Sequence, residues 1–421
     1  MVRKTTLKNG LRIIAVPQSN TRAVTVLVLV GTGSKNEKKE LNGISHFLEH
    51  MFFKGTKKRP TTTAIAETLD KVGGIYNAFT GEDYTGYFAK VDSPHWELAL
   101  DWVSDIFFNS LLPPKEIERE RGVIIGEINM YQDHPMDYIG ILWQKLLYGD
   151  QPAGRPVAGT KETVSKISRQ DLFSYRLSQY TASNTIVCVA GNVEEKEAVT
   201  KAKQYFSKIK AASPQKKLKV VERQTRPEFL LEQRKTDQTH LCLGVRGFNL
   251  FHPQRYGQEL LAVILGGMMS SRLFIKVRER LGLAYYVSTS SEADPDTGFL
   301  VTQAGLHNDK VEKGILTILK EYKEISQKIV PAKELQKAKD YVKGKTALTL
   351  ETSDSQASFF GFQELLKKEI LNPEQIYREI DKITQSDILK VARASFRPEK
   401  LNLALIGPFF DKKRFEKILT L

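Results

Sequence analysis

Two hydrophobic periodicities alternate along the chain. Residues 11–17, LRIIAVP, and 23–33, AVTVLVLVGTG, are rich in Val and Ile and close on Pro or Gly, which predicts strands. Residues 42–53, NGISHFLEHMFF, place apolar side chains at Ile44, Phe47, Leu48, Met51 and Phe52, a helical spacing. TAIAETLDKVGG at 63–74 predicts a second helix stopped by glycines. IYNAFTGEDYTGYFAKV at 75–91 predicts a strand pair around a Gly-Glu-Asp turn, and HWELALDWVSDIFF at 95–108 returns to helix. Such alternation predicts an α+β sandwich.

The order then recurs. ISRQDLFSYRLSQYTASNTIVCVAGN, from residue 167, matches ITQSDILKVARASFRPEKLNLALIGP: Ile167 pairs with Ile383, Asp171 with Asp387 and Gly191 with Gly407, always 216 residues apart. LLPPKEI resembles IVPAKEL, and GGIYNAFTGEDYTGY resembles GLAYYVSTSSEADPDTGF. Fixed spacing over a long segment argues for internal duplication. The expected fold is therefore two homologous α/β sandwich modules, each a mixed, mainly antiparallel sheet packed with helices. Residues 1–211 form the first and 229–421 the second, with the polar, basic stretch 212–228, carrying Pro214 and Pro227, as linker.

Composition narrows the function classes. A hydrophobic content of 41% and a charged content of 27% over 421 residues are those of a globular chain. The net charge of +14 suits an acidic partner, but the lysines are spread along the chain and none of the basic runs interleaves with aromatics. A solvated basic surface, with no nucleic-acid partner, is the reading adopted. Cys188 and Cys242 each lie in an apolar strand-like run, expected as buried free thiols. The N-terminus shows no apolar leader and no stretch reaches membrane-span length, so a cytoplasmic protein with no membrane partner is expected.

Candidate chemistry centres on His46-Phe47-Leu48-Glu49-His50. Side chains at i and i+4 project from one helical face, so the two imidazoles can converge on one cation, and Zn2+ suits neutral imidazole nitrogen. Glu49 flanks that face and is placed to reach a water on the metal. With seven histidines in the chain, H-x-x-E-H arises by chance about once in a hundred such sequences, which favours a metal pair over two core histidines. A catalytic zinc site usually takes a third protein ligand. PPKEIERERGVIIGEINMYQ, opening with prolines, predicts a helix in which Glu120 and Glu127, seven apart, share a face about 10 Å apart. Either can be the ligand while the other supports a histidine, and the spacing leaves the choice open.

HFLEHMFFKGT followed by ERERGVIIGEI resembles the pitrilysin superfamily of inverted-motif zinc peptidases (inverzincins), in particular mitochondrial processing peptidase and its half-size bacterial relatives. The likeness runs over essentially the whole chain. It implies a zinc metalloendopeptidase with His46, His50 and Glu127 as ligands, since the family's third ligand lies about 77 residues beyond the second histidine. It implies Glu49 as general base and Glu120 as a further active-centre acid behind the ligands. One departure is Gly126, where many relatives carry a second acid.

The resemblance also implies that Arg278 and Tyr285, in VRERLGLAYY, reach the substrate, and that an extended peptide adds to the YNAFTG edge strand near Asn77 and Ala78. The second copy reads LLAVILGGMMSSRLF, with Lys345 near the counterpart of Glu127, so only one module is equipped for metal. Half-size relatives imply a dimeric chamber admitting unstructured peptides or presequence-like segments: a homodimer, or a heterodimer with an inactive homologue. The alternative is a noncatalytic scaffold or regulatory subunit of the same fold.

Overall fold

A computed structural model describes residues 2–421. The first half of the chain runs β1 (Arg3–Thr6), β2 (Arg12–Pro17), β3 (Ala23–Val30), α1 (Ile44–Met51), α2 (Thr62–Asp70), β4 (Ile75–Thr80), β5 (Thr85–Asp92), α3 (Trp96–Asn109), α4 (Pro114–Asp133), α5 (Pro135–Tyr148), α6 (Lys161–Lys166), α7 (Arg169–Gln179), β6 (Thr185–Gly191) and α8 (Glu195–Phe206). The second runs β7 (Glu228–Gln233), β8 (Gln238–Arg246), α9 (Arg255–Ala262), β9 (Ala284–Ala293), β10 (Gly298–His307), α10 (Val311–Gln327), α11 (Ala332–Thr349), α12 (Ser353–Phe362), α13 (Pro373–Lys382), α14 (Gln385–Ser395), β11 (Leu401–Gly407) and α15 (Lys413–Ile418).

The duplication is visible in the sheets. The first has order β1-β2-β6-β3-β5-β4 and the second β7-β11-β8-β10-β9. In both, one parallel pair (β2 with β6, β7 with β11) is followed by antiparallel neighbours, and among the described residues only β1 lacks a counterpart. The helix preceding each inner strand starts alike. Ser168 accepts from the Asp171 N–H and Thr384 from the Asp387 N–H, with each aspartate bonding back, at positions 216 apart. Such a reciprocal cap stabilises a helix start by about 1 kcal/mol.

Each sheet is covered on both faces, which explains why its inner strands are apolar throughout rather than alternating. In β3 and β6, Val24, Val26, Val28, Val187 and Val189 enter a core with α1, α3 and α7. Their neighbours Leu27, Leu29, Ile186 and Cys188 enter a second core on the opposite face, with Ala357 and Phe360 of α12. The second sheet does the same: Leu241, Leu243 and Val245 face α9, α10 and α14, whereas Cys242, Ala404 and Ile406 meet Ile139, Leu142 and Trp143 of α5. Both cysteines are buried and free.

The compact units consequently differ from simple halves. One comprises Met1–Asn129, Arg155–Leu218 and Ala347–Leu371; the other comprises Met130–Gly154, Lys219–Thr346 and Asn372–Leu421. Each half of the chain lends the other sheet one helix. The lent α12 segment is held in the first unit by the buried Glu364, which pairs with Lys4 and Arg12, and by Lys90 with Asp354. Among the described residues, no helix is long and apolar enough to cross a membrane.

Candidate metal centre

Helix α1 carries the histidines because its two sides differ. Ile44, Phe47, Leu48 and Met51 are buried in the first core, which fixes the rotation of the helix and turns His46, Glu49 and His50 to the other side. Its start is fixed by Glu37. One carboxylate oxygen accepts from the Gly43 N–H and the Asn42 amide at 2.7 and 2.9 Å, and the other accepts from the Ser45 N–H at 2.8 Å. Gly43 has φ 98°, and a Cβ there would lie 2.8 Å from the Ala158 carbonyl oxygen, so glycine is required for conformation and for space. The Ser45 hydroxyl meets the Tyr175 hydroxyl at 2.7 Å, which ties the helix to α7.

Helix α4 supplies the acids. Its buried stripe is Ile117, Glu120, Ile124 and Ile128, which places one acid inside the apolar face and leaves Glu127 on its flank. His50 spans the two acids with its two ring nitrogens. Nδ1 lies 2.9 Å from Glu120 Oε1, and Nε2 faces Glu127 Oε2 at 3.6 Å. His46 Nε2 lies 3.5 Å from the same Glu127 oxygen and 3.1 Å from His50 Nε2. Lys54 reaches the second Glu120 oxygen at 2.6 Å.

Protonation follows from these partners. Burial raises the Glu120 carboxyl, but the bonds from His50 and Lys54 outweigh it and hold the group below its ordinary value. A carboxylate there commits the His50 Nδ1 hydrogen, leaving Nε2 as a lone pair. Burial, then the neighbouring His50, push His46 down to about 3 against the opposing pull of Glu120, so His46 is neutral near pH 7. His46 Nδ1 is buried without a hydrogen-bond partner among the described residues, so the ring's functional nitrogen is the Nε2 turned into the cluster.

Two imidazole nitrogens and one carboxylate oxygen, all within 4.8 Å of one another, thus face a common point with nothing but acceptor capacity to offer once the His46 proton sits on Nδ1. That arrangement is repulsive unless a cation joins it, and an N, N, O set is the donor chemistry of Zn2+. The residues present fit the metal.

Glu49 stands beside the cluster. Its Oε2 accepts from the Thr80 hydroxyl at 2.6 Å. Burial raises its carboxyl, with Thr80 and His50 pulling the other way, so it is more basic than an ordinary glutamate. Asn77 lies exposed on β4, the edge strand of the first sheet, and its Oδ1 accepts from the Ala78 N–H at 2.9 Å. Arg278 and Tyr285 belong to the second compact unit and are near each other there, the guanidinium 5.9 Å from the tyrosine ring and 4.8 Å from Phe274. Tyr285 is 74% exposed at the start of β9, and Lys345 lies in the last turns of α11.

The structure therefore places His46, His50, Glu120, Glu127 and Glu49 in one cluster. Sequence reading missed Lys54, Thr80 and Glu37. Lys54 had a signal, being one further helical step from His50. Thr80 and Glu37 had none, because a strand register and a loop path bring them in.

Comparison with known proteins gives the family. The model of the insulinase family, peptidase family M16, matches residues 12–161, and that of the peptidase M16 inactive domain matches residues 166–342. The chain is 36% identical over 408 residues to the "uncharacterized zinc protease YmxG" of Bacillus subtilis, covering 97% of this chain and 98% of that one. It is 34% identical over 423 residues to an "uncharacterized zinc protease" of Mycobacterium leprae, covering 99% and 94%. Among solved structures, a protease from Helicobacter pylori shares the fold with a TM-score of 0.90 at 22% identity, over 97% of this chain and 99% of that one. A chain of complex III from Candida albicans does so with a TM-score of 0.85 at 18% identity, over the full length of both. With one module of each type and relatives of matching length, the chain belongs to peptidase family M16 of the pitrilysin superfamily, as a half-size, two-module member.

Proposed function

We propose that the protein is a zinc-dependent endopeptidase acting on unstructured peptides. The observation that carries this is the convergence of His46, His50 and Glu127, with the half-buried Glu49 held by Thr80 beside them. Zinc held by those three residues supplies Lewis acidity toward a peptide carbonyl and toward water. Glu49 receives the proton of the attacking water and delivers it to the leaving amine. Glu120 keeps His50 in the tautomer that offers Nε2, assisted by Lys54.

Substrate is held by backbone. The unpaired edge of β4, near Asn77 and Ala78, takes an extended peptide as a further strand, which gives affinity with tolerance of sequence. Arg278 and Tyr285 donate to the carbonyl oxygen as charge develops on it. As a two-module chain with one metal module, the protein acts as a homodimer, or beside an inactive homologue, enclosing peptides or presequence-like segments in a chamber. The second reading, a noncatalytic scaffold, is motivated by the shared fold of the complex III chain.

Cleavage of a mixed unstructured peptide library, with and without chelator and read by mass spectrometry, tests the proposal. Peptides should be cut by the parent, left intact with chelator, and left intact by a Glu49→Gln variant that keeps its zinc. A Glu49→Gln protein cutting as fast as the parent eliminates the mechanism, and a parent that binds zinc but cuts nothing supports the scaffold.

A further inference from the structure

Thr80 closes β4, and its hydroxyl donates to Glu49 Oε2 at 2.6 Å. A bond of that length to a carboxylate is charge-assisted and directional. The strand end that carries it is clamped. Thr80 pairs with Thr85 across the hairpin, and the Thr85 hydroxyl donates to the Thr32 carbonyl at 2.8 Å. Beyond Thr80, the Ser34 and Lys35 N–H groups donate to the Gly81 and Glu82 carbonyls at 3.2 and 2.9 Å. Lys35 forms a buried ion pair with Asp83 at 3.0 Å. The approach is so close that a Cβ on Gly33 would lie 2.2 Å from the Gly81 oxygen.

Residues 32–35 lead directly to Glu37, which holds the first N–H groups of α1. The end of the edge strand and the start of the metal-binding helix are therefore one clamped block, and across it a strand hydroxyl meets a helix carboxylate. Among the described residues, the opposite side of β4 has no strand neighbour.

We propose that Thr80 is a positioning residue: it fixes the Glu49 carboxylate in the orientation that receives a proton and holds it in register with a peptide seated on β4. This rests on the peptidase reading above. Thr80 engages Oε2, so proton transfer uses the other oxygen. A peptide added along β4 takes its register from that strand, and the clamped Thr80 end holds Glu49 fixed relative to the same register. Peptide and base are thereby set against one frame, which places the benefit in kcat rather than in affinity.

The test compares Thr80→Val, Thr80→Ser and Glu49→Gln in the full-length, zinc-loaded protein, with an unstructured quenched-fluorescence peptide as probe. Zinc content, melting temperature, kcat and KM are read for each. Thr80→Val should keep its zinc and a KM within about twofold of the parent while kcat falls about 10–100-fold, and Thr80→Ser should recover kcat to within about threefold. Thr80→Ala serves in the same comparison where valine does not fold. A fully active Thr80→Val beside an inactive Glu49→Gln overturns the positioning role alone. Loss of zinc or of melting temperature in Thr80→Val, with no recovery by serine, also overturns it, because the side chain then serves the fold. A Glu49→Gln protein with parental activity overturns the peptidase mechanism itself.

Discussion

Glu120 Oε1 lies 2.9 Å from His50 Nδ1, on the ring edge opposite the nitrogen that faces His46. One acid thus sets the tautomer of a histidine whose other nitrogen belongs to the cluster. Replacing Glu120 by Ala should weaken zinc binding by about 10–100-fold, the usual effect of removing such a support. Competition against a calibrated chelator measures it, and an unchanged affinity would mean that Glu120 serves only Lys54.

Zinc itself should stabilise the fold. At a free concentration about a hundred times its dissociation constant, a ligand specific for the native state adds about 2.7 kcal/mol. Chelation should therefore lower the melting temperature, and added zinc should restore it. In His46→Ala, which removes one donor, the melting temperature should respond far less to either treatment.

The role proposed for Tyr285 has its own test. Loss of a single donor to a developing oxyanion costs about 100–1000-fold in kcat in well-studied hydrolases. Tyr285→Phe should lower kcat, by at least about tenfold on that scale, with zinc content unchanged. Because the side chain is 74% exposed, the melting temperature should not move. Steady-state kinetics that match the parent would remove Tyr285 from the active centre.

Glu37 gives a pH dependence. Burial pushes its carboxyl up to about 7 from an ordinary 4.5, against the bonds from Ser45, Gly43 and Asn42. A folded-state value above the unfolded one means that the native protein holds this proton more tightly. The associated stability is complete below the unfolded value and is lost as pH rises through about 7. Urea melts at about pH 5 and about pH 8 should show a smaller stability loss with rising pH in Glu37→Gln than in the parent. An identical loss in both would mean that Glu37 ionises normally.

Gly126 sits inside α4, and a Cβ added there meets nothing within 4 Å. Gly126→Ala should raise stability by about 0.5–1 kcal/mol through helix propensity, with zinc binding unchanged. Chemical denaturation measures the difference, and a less stable variant would show that the position is not open.

The histidine pair and Glu49 were legible because one helical turn is a local rule, and the duplication because 216-residue spacing repeats from cap to strand. The choice between Glu120 and Glu127 was not legible from spacing. Seven residues put both on one face, and only the two nitrogens of His50, each aimed at a different acid, separate them. Thr80 and Glu37 stayed hidden for a different reason, since hairpin register and loop path are tertiary facts. The α5 pattern of Ile139, Leu142 and Trp143 announces a buried face without naming the sheet that buries it.

The helix exchange constrains how the protein is made. Until the ribosome has delivered the segment ending at Leu371, the first sheet lacks the helix that covers Leu27, Leu29 and Cys188. A nascent chain therefore carries an oily, unshielded sheet from the completion of β6 at Gly191 until that segment emerges. Cutting the gene at the connecting stretch would strand each fragment with the other's covering helix, so two such pieces should be recovered in native form only when produced together.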